Sequence, residues 1–312
     1  MDQMVTLLSQ TSFLAIGALS LKLFARLWPY ALLGIVLGSF VAAFLPTERL
    51  SAACEKRGGT IAIGLATLLG VVSPLSSYAV LPIFAAMLSS GVPLPPVMAF
   101  LTASPLIDPF LFITTWGVLG PGMALARLFS AVALGFSSGL LFQYLNGRGF
   151  FSSLNGGVLE TSLAGNQQVF AMISGSHAES RWRNAFRLMT KTAKYPLKYF
   201  MLAIILASVV ETYIPKKLVM VSLGSSGFSI PLAALLGVPL YLCGGGAIPL
   251  VMELMQMGMD KGAALTFFLT GPATRIAPLL TVALLVKKRA FLVYLLTILF
   301  GGMLAGYLYR LF

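Results

Sequence analysis

The sequence predicts an all-α membrane protein that crosses the bilayer several times and consists of two related halves. Of its 312 residues, 58% are hydrophobic and only 10% are charged, whereas soluble domains carry about 25% charged residues. Apolar runs of membrane-crossing length recur along the chain, and one constant shift aligns its two halves. A soluble fold of this size could not hide so much apolar surface from water, so hydrocarbon is the expected solvent.

Four apolar runs have lengths near the roughly 20 residues that a helix needs to cross hydrocarbon. They are residues 29–46, 122–145, 197–214 and 290–309. The stretch 4–21 is a further candidate, although its polar residues also fit an amphipathic lead-in helix. Because no Lys or Arg precedes Lys22, we expect this first stretch to be retained and not cleaved as a signal peptide.

Two other apolar zones, 61–90 and 228–257, are interrupted by proline and glycine motifs. A piece such as 61–72 is about 18 Å long as a helix, against about 30 Å of hydrocarbon, so it cannot cross alone. Each zone is therefore predicted to be a re-entrant hairpin of two half-helices that enters and leaves on the same side of the membrane.

The segment 147–182 is rich in Gly, Ser and Asn and predicts a flexible linker between an N-terminal membrane repeat, 1–146, and a C-terminal one, 183–312. Lys and Arg total 21 against 9 acidic residues, for a formal net charge of +12. The basic residues cluster in short polar segments, a pattern of cytoplasmic loops that face anionic lipids and not of nucleic-acid binding. We expect 147–195 to be cytoplasmic.

Glycines and prolines recur at one spacing in the two halves. A shift of 167 residues places Gly135 on Gly302, Gly139 on Gly306, and Pro105 on Pro272. Each such residue marks a specific backbone break, so repeated matches at one spacing indicate a duplication. The loop 287–289 is basic, whereas its counterpart 120–122 is uncharged. This difference predicts that the two halves face opposite ways and form an inverted repeat.

Besides the two hairpin zones, the motifs 104–109 and 271–278 are predicted to interrupt helices, and they pair with each other across the repeat. Inverted halves with interrupted helices are typical of secondary transporters, whose solute site lies at the midplane where the interrupted segments meet. Exposed amides, hydroxyls and half-helix N-termini there could hold a polar or anionic small molecule, and helix kinks that serve packing are the alternative. The residues predicted to bind the solute are Ser76, Ser77, Tyr78, Asp108, Cys243, Gly244, Gly245, Thr274 and Arg275.

Two of these residues carry opposite charges at equivalent positions, since 275 minus 108 is 167. Charges inside a membrane are costly and usually face a partner or a cavity. Asp108 and Arg275 are therefore predicted to lie close together, either as a structural ion pair or within the solute site. Asp108 and Glu253 are the candidate proton carriers for coupling. With one histidine and two cysteines in the chain, we expect no metal centre, disulfide framework or cofactor.

The stretch 135–139 reads Gly-Phe-Ser-Ser-Gly and matches the Gly-x-Ser-x-Gly pattern of serine hydrolases. Its counterpart 302–306 keeps both glycines and lacks the serine, so close helix packing explains both copies. An intramembrane hydrolase is the unfavoured alternative, because His177 in the linker is a poor base for Ser137. We expect no enzyme; a channel-like pore for a small ion is the other alternative.

Two motifs resemble those of the YraQ-like predicted permease family, which includes bacterial organoarsenical efflux permeases. Residues 239–243 read Pro-Leu-Tyr-Leu-Cys, close to the family's Pro-Leu-Tyr-Val-Cys, and 271–275 read Gly-Pro-Ala-Thr-Arg where the family has Gly-Pro-Ala-Thr-Asn. The first-half motif, 74–82, departs from the family pattern, with Ser76 and Tyr78 in place of its two cysteines.

The resemblance, which covers 28–145 and 195–309, implies a multi-pass permease of the bacterial inner membrane. Organoarsenical efflux, known for some members, would need two thiolates for a trivalent arsenical, and only Cys243 is available at membrane depth. Arg275 instead suggests an oxyanion or an organic acid. We therefore expect a small-solute permease that works by alternating access, with efflux of an oxyanion or an organoarsenical as the candidate activity and an unknown oligomeric state.

Overall fold

A computed structural model describes part of the chain. Within this part the chain is helical, and no strand occurs among the described residues. The described residues are 16–25, 28–29, 32, 59–72, 92–150, 204–205, 208–209, 212–213, 216–238, 244–274 and 288–312.

Ten helices with defined bounds occur among the described residues. They are α1 (Ile16–Ala25), α2 (Thr60–Val72), α3 (Leu94–Ala103), α4 (Pro109–Leu119), α5 (Pro121–Gly147), α6 (Lys216–Leu223), α7 (Ser229–Gly237), α8 (Gly244–Gln256), α9 (Lys261–Ala273) and α10 (Lys288–Arg310).

Proline, glycine and aspartate set several of the helix ends. Helix α4 begins with Pro109, whose missing N–H costs nothing in a first turn, and the preceding Asp108 caps the helix with its side chain. Gly120 joins α4 to α5 with a positive φ of 92°, a conformation that favours glycine. Asp260 caps α9 by accepting hydrogen bonds from the amides of Gly262 and Ala263.

Two of the described helices, Pro121–Gly147 and Arg289–Arg310, are long and apolar enough to cross a membrane by length and composition. They confirm as helices the predicted apolar runs 122–145 and 290–309. Most residues of the runs 29–46 and 197–214 lie outside the described residues, as does nearly all of the predicted linker.

Helices α5 and α10 pack against each other in opposite directions. The guanidinium of Arg289, at the start of α10, lies 5.4 Å from the ring centroid of Phe150, just beyond the end of α5. At the other end, a Cβ on Gly122 would lie 3.4 Å from the hydroxyl of Tyr309. We call these two ends of the pair the Arg289 end and the Arg310 end.

Small residues bring α2, α3 and α5 into close contact. A Cβ on Gly135 would lie only 2.8 Å from Ala103 Cβ and 2.9 Å from Thr67 Cγ2. A Cβ on Gly139 would lie 2.9 Å from Ala99 Cβ. Because the later glycine of α5 faces the earlier alanine of α3, these two helices also run antiparallel.

The second half repeats this packing at the same shift of 167 residues. A Cβ on Gly302 would lie 3.0 Å from Thr270 Cγ2, and Gly306 contacts Thr266. The two threonines of α9 stand where α3 has its two alanines. Helices α7, α9 and α10 thus contact one another as α2, α3 and α5 do.

The path from α3 to α4 is interrupted beside the middle of α5. Helix α5 has 27 residues, or about 40 Å, and the last residue of α3, Ala103, faces Gly135 close to its centre. Helix α4 then packs against the N-terminal part of α5. The interruption at 104–108, which we call the first break, confirms the predicted break in the 104–109 motif.

The predicted hairpin 228–257 contains two separate helices, α7 and α8, and both of its ends lie at the Arg310 end. Arg310 Nη1 donates to the carbonyl of Ser226 at 3.1 Å, and Arg310 Nε lies 3.7 Å from Asp260 Oδ2. The amide of Asp260 donates to the carbonyl of Leu223 at 2.8 Å. Ser226 precedes α7 and Asp260 follows α8, so this segment starts and finishes at one end of α10.

Helices α2 and α3 of the first half start at the opposite end of the bundle. A Cβ on Gly59, just before α2, would lie 3.9 Å from Gln143 Nε2, near the end of α5. Pro95, at the start of α3, also lies beside α5, at Gly139. Helices α2 and α3 therefore both start at the Arg289 end, whereas their counterparts α7 and α9 start at the Arg310 end.

Candidate functional site

The first break leads into the N-terminus of α4, which Asp108 caps. Asp108 Oδ1 accepts a hydrogen bond from the amide of Leu111 at 2.7 Å, which satisfies one of the free amides of the first turn. Ser104, at the other side of the break, is 2% exposed, and its hydroxyl has no hydrogen-bond partner among the described residues.

A fully buried arginine of α5 supports this break. Arg127 has 0% exposure; its Nε donates to the carbonyl of Leu106 at 3.0 Å, and its Nη1 donates to Thr115 Oγ1 at 3.1 Å. Its positive charge also acts favourably on the carboxylate of Asp108. A buried charge is tolerated only when such partners replace water, so Arg127 and the first break stabilise each other.

The same arginine reaches the second half of the molecule. The guanidinium carbon of Arg127 lies 4.6 Å from the ring centroid of Phe268, which belongs to α9. A cation over an aromatic face contributes about 2 kcal/mol or more when it is desolvated. The first break is therefore tied to the helix that leads to its counterpart in the second half.

The counterpart in the second half is the end of α9 at Ala273 and Thr274, which we call the second break. Helix α9 runs through Ala273, so Gly271 and Pro272 of the predicted 271–278 motif are still helical. A proline in the last turn keeps a helical φ and only removes one N–H, which is why the helix ends after it and not at it. Tyr294 of α10, with 0% exposure, donates its hydroxyl to the carbonyl of Ala273 at 3.3 Å.

Two further predicted site residues are buried near these breaks. Thr274 is 2% exposed, and its hydroxyl donates to the carbonyl of Thr270 at 2.8 Å, so only its lone pairs remain for a solute. Glu253 is 3% exposed and lies on α8, which packs against α4 and α9. Its burial on a helix that contacts both halves fits the predicted role of a proton carrier, which stays a prediction.

Gly244 and Gly245 lie in α8, which is described from Gly244 onward. The other predicted binding residues, and with them the proposed proximity of Asp108 and Arg275, lie outside the described residues. They are Ser76, Ser77, Tyr78, Cys243 and Arg275.

Sequence reasoning named neither Arg127 nor Tyr294 as a site residue. A lone arginine inside a membrane-length run was the available signal, because such charges usually face a partner or a cavity. The constant shift was a second signal, since 294 minus 127 is 167.

The serine of the hydrolase-like pattern lies on an outer face of α5. Ser137 is exposed and donates to the carbonyl of Leu134 at 3.2 Å. The neighbouring Ser138 is buried and accepts from Thr102 at 2.9 Å. The two flanking glycines make the close contacts with α3 described above, which is the packing role that the sequence predicted for them.

Comparison with known proteins gives one family and three relatives. The ArsP_1 family, described as predicted permease, matches residues 12–311. The UPF0718 protein YcgR of Bacillus subtilis is 23% identical over 306 residues, which cover 96% of this chain and 97% of that protein. No solved structure matches the chain significantly.

Two shorter matches cover parts of the chain. A Streptococcus mutans protein named "Putative two-component membrane permease complex subunit" is 27% identical over 138 residues, or 43% of this chain and 45% of that protein. The UPF0718 protein MJ0584 of Methanocaldococcus jannaschii is 24% identical over 127 residues, or 40% of this chain and 34% of that protein.

Proposed function

We propose, from the premise that the chain belongs to the ArsP_1 family of predicted permeases, that it moves a small solute across the bacterial inner membrane by alternating access between two inverted halves. Membership of the family makes the chain a membrane permease. The inverted halves, the solute site and the direction of transport are our proposals.

The observation that carries the proposal is the opposite placement of equivalent helices. Helices α2 and α3 start at the Arg289 end, and their counterparts α7 and α9 start at the Arg310 end. Helices α5 and α10, which are also counterparts, run antiparallel. An inverted repeat is the arrangement that would produce both relations, and rocking of one repeat against the other then exposes a central site to each side in turn.

Charge supports the orientation of the bundle. Arg148 and Arg289 lie at the Arg289 end, where α5 leads into the predicted linker, which carries three Arg and two Lys between residues 181 and 194. Arg310 and Lys261 lie at the other end. An excess of Lys and Arg marks the cytoplasmic side. We therefore propose that the Arg289 end, the linker 147–195 and the base of the first hairpin are cytoplasmic, and that anionic lipids contact this end.

The solute would bind between the two breaks. The first break lies beside Arg127 of α5, the second lies beside Tyr294 of α10, and the contact between Arg127 and Phe268 joins the two halves. In the proposal, hydroxyls and amides of Ser76, Ser77, Tyr78, Cys243, Gly244, Gly245 and Thr274 hold the solute. Arg275 supplies a fixed charge, and Asp108 or Glu253 carries a proton. An interrupted backbone at membrane depth is otherwise tolerated only when it is buried in protein.

An oxyanion or an organoarsenical is the proposed class of solute, and efflux is the proposed direction. A second subunit is a further proposal, because one relative is named as a subunit of a permease complex. Because that relative matches less than half of this chain, we propose a partner subunit without identifying it.

The test is transport by the purified full chain in sealed vesicles. Three probes cover the proposed classes: arsenate as an oxyanion, methylarsonous acid as a trivalent organoarsenical, and acetate as an organic acid. We expect saturable flux of one probe and its accumulation against a gradient when a proton gradient is imposed. Saturable accumulation separates a transporter from a channel-like pore, because a pore only dissipates gradients.

The role of Arg275 is tested by Arg275→Asn, which installs the residue of the family pattern, against Arg289→Asn, which removes a basic residue at the membrane surface. We expect the first variant to lower the flux of an anionic probe by about tenfold, the effect of one charge-assisted hydrogen bond, and the second to leave it unchanged. Equal flux from both variants would remove Arg275 from the site. Flux of every probe that never saturates would support the pore.

A further inference from the structure

Two hydrogen bonds occupy equivalent positions in the two halves, although different side chains make them. Arg127 of α5 donates to the carbonyl of Leu106 at 3.0 Å. Tyr294 of α10 donates to the carbonyl of Ala273 at 3.3 Å. The donors are 167 residues apart, since 294 minus 127 is 167, and so are the acceptors, since 273 minus 106 is 167.

The two donors share neither shape nor charge. A planar guanidinium and a phenol fill space differently, and both side chains have 0% exposure. What both halves have kept is a hydrogen-bond donor on the long helix that faces a carbonyl at the end of the preceding helix, in Ala273, or within the break that follows it, in Leu106. Such a carbonyl lacks a helical partner, and leaving it unsatisfied at membrane depth is costly.

We infer that Arg127 and Tyr294 are equivalent positioning residues. Each holds the chain at a helix break against a long helix, α5 or α10, through one hydrogen bond to a backbone carbonyl, and we call this hydrogen bond a pin. Each pin satisfies one carbonyl of a break and turns it away from the space between the halves. In the first break, the hydroxyl of Ser104 and the amides at the start of α4 then remain available to a solute. The consequence for transport rests on the proposed function, whereas the pinning itself does not.

The sharpest test is Tyr294→Phe, which removes only the hydroxyl. Its matched control is Tyr307→Phe on the same helix, because Tyr307 donates to the carbonyl of Gly227 at 3.1 Å, at the Arg310 end and far from the break. Amide hydrogen exchange by mass spectrometry follows the peptides 270–278 and 224–229 in the purified full chain.

We expect Tyr294→Phe to raise exchange in 270–278 by about three- to tenfold, the equilibrium effect of one lost hydrogen bond, and to leave 224–229 unchanged. The control should show the reverse pattern. If Tyr294→Phe leaves 270–278 as in the wild type, the second pin does not exist and the inference is overturned.

The first pin is tested by Arg127→Lys and Arg127→Met, with exchange followed in 104–108. Lysine keeps the charge and a donor, so it should restore much of the protection that methionine removes. If both variants exchange alike and like the wild type, Arg127 does not hold the first break. If Arg127→Met does not fold, amide exchange in Arg127→Lys still tests the first pin, and amide exchange in Tyr294→Phe still tests the second.

Vesicle transport then tests the consequence, with arsenate, methylarsonous acid or acetate as the probe that the wild type carries. Tyr294→Phe should raise KM by about three- to tenfold with a smaller change in kcat, whereas Tyr307→Phe should change neither. An unchanged KM in Tyr294→Phe would overturn the link between pin and solute. If the wild type carries none of the three probes, the proposed function fails for these solutes, and the exchange experiment still decides the pins.

Discussion

The two halves of the molecule share their backbone packing and differ in their polar chemistry. Glycines at equivalent positions of α5 and α10 contact equivalent positions of α3 and α9. By contrast, the first half has Arg127 where the second has Tyr294. At the ends of the long helices, Asp260 and Arg310 form an ion pair where the first half has Pro93 and Gln143.

The comparison teaches which features a duplicated membrane bundle has to retain. Helices in lipid associate through close packing of small residues, because lipid and protein are about equally apolar. Losing a glycine at a crossing therefore damages either half in the same way. A polar group needs only some donor or acceptor opposite it, so its identity can change between the halves.

The largest expected effect tests the shared packing. Gly139→Val places a β-branched side chain against Ala99 Cβ, which would lie only 2.9 Å from a Cβ there. Overpacking of this kind costs about 1–3 kcal/mol or more, so thermal unfolding in detergent should shift down by several degrees. Gly147→Val on the same helix is the control, since nothing lies within 4 Å of its Cβ position. Equal midpoints for the two variants would contradict the crossing.

A smaller effect is expected for the ion pair of the second half. Arg310→Gln breaks a partly exposed bond to Asp260 at 3.7 Å and weakens the bonds to the carbonyls of Ser225 and Ser226. We expect a loss of about 1 kcal/mol, decreasing with added salt. Gln143→Arg, the reverse change at the equivalent position, should not stabilise the protein, because Pro93 offers no carboxylate. A gain in stability from Gln143→Arg would mean that an arginine at this position stabilises the protein without a carboxylate at position 93.

The smallest effect concerns a bond that the first half alone contains among the described residues. Thr102 donates to Ser138 at 2.9 Å, and the second half has Leu269 and Ala305 at these positions. Hydrogen bonds between membrane helices contribute about 0.6 kcal/mol on average. A double-mutant cycle with Thr102→Val and Ser138→Ala should give a coupling of that size in thermal unfolding. A coupling of zero would show that the bond contributes nothing to stability.

Sequence reasoning predicted the helices best where its signals were local. The two long runs became α5 and α10, the first break falls within the predicted motif, and the interruption of 228–257 separates α7 from α8. These features depend on apolar length and on proline and glycine, which act within one turn of the backbone. The boundary at the second break was less accurate, because Pro272 lies inside the last turn of α9 and does not end it.

The site was only partly predictable. Asp108 was identified from its charge and from its position equivalent to Arg275, and the structure adds its role as a helix cap. Arg127 was overlooked because its role depends on residues that are distant in sequence. Leu106 lies 21 residues away, Thr115 lies 12 residues away, and Phe268 lies in the other half of the chain. No local pattern indicates that these groups converge.

The sequence by itself determined that the chain is helical and membrane-embedded, and it predicted the duplication, since composition, apolar length and the 167-residue spacing of glycine and proline are written directly in the order of residues. Only the tertiary structure decided that α5 and α10 run antiparallel and that Arg127 and Tyr294 face equivalent carbonyls. The physical reason is the distance along the chain over which each effect acts. Apolar runs and backbone breaks depend on neighbouring residues, whereas a buried donor bonds to an acceptor that is distant in sequence.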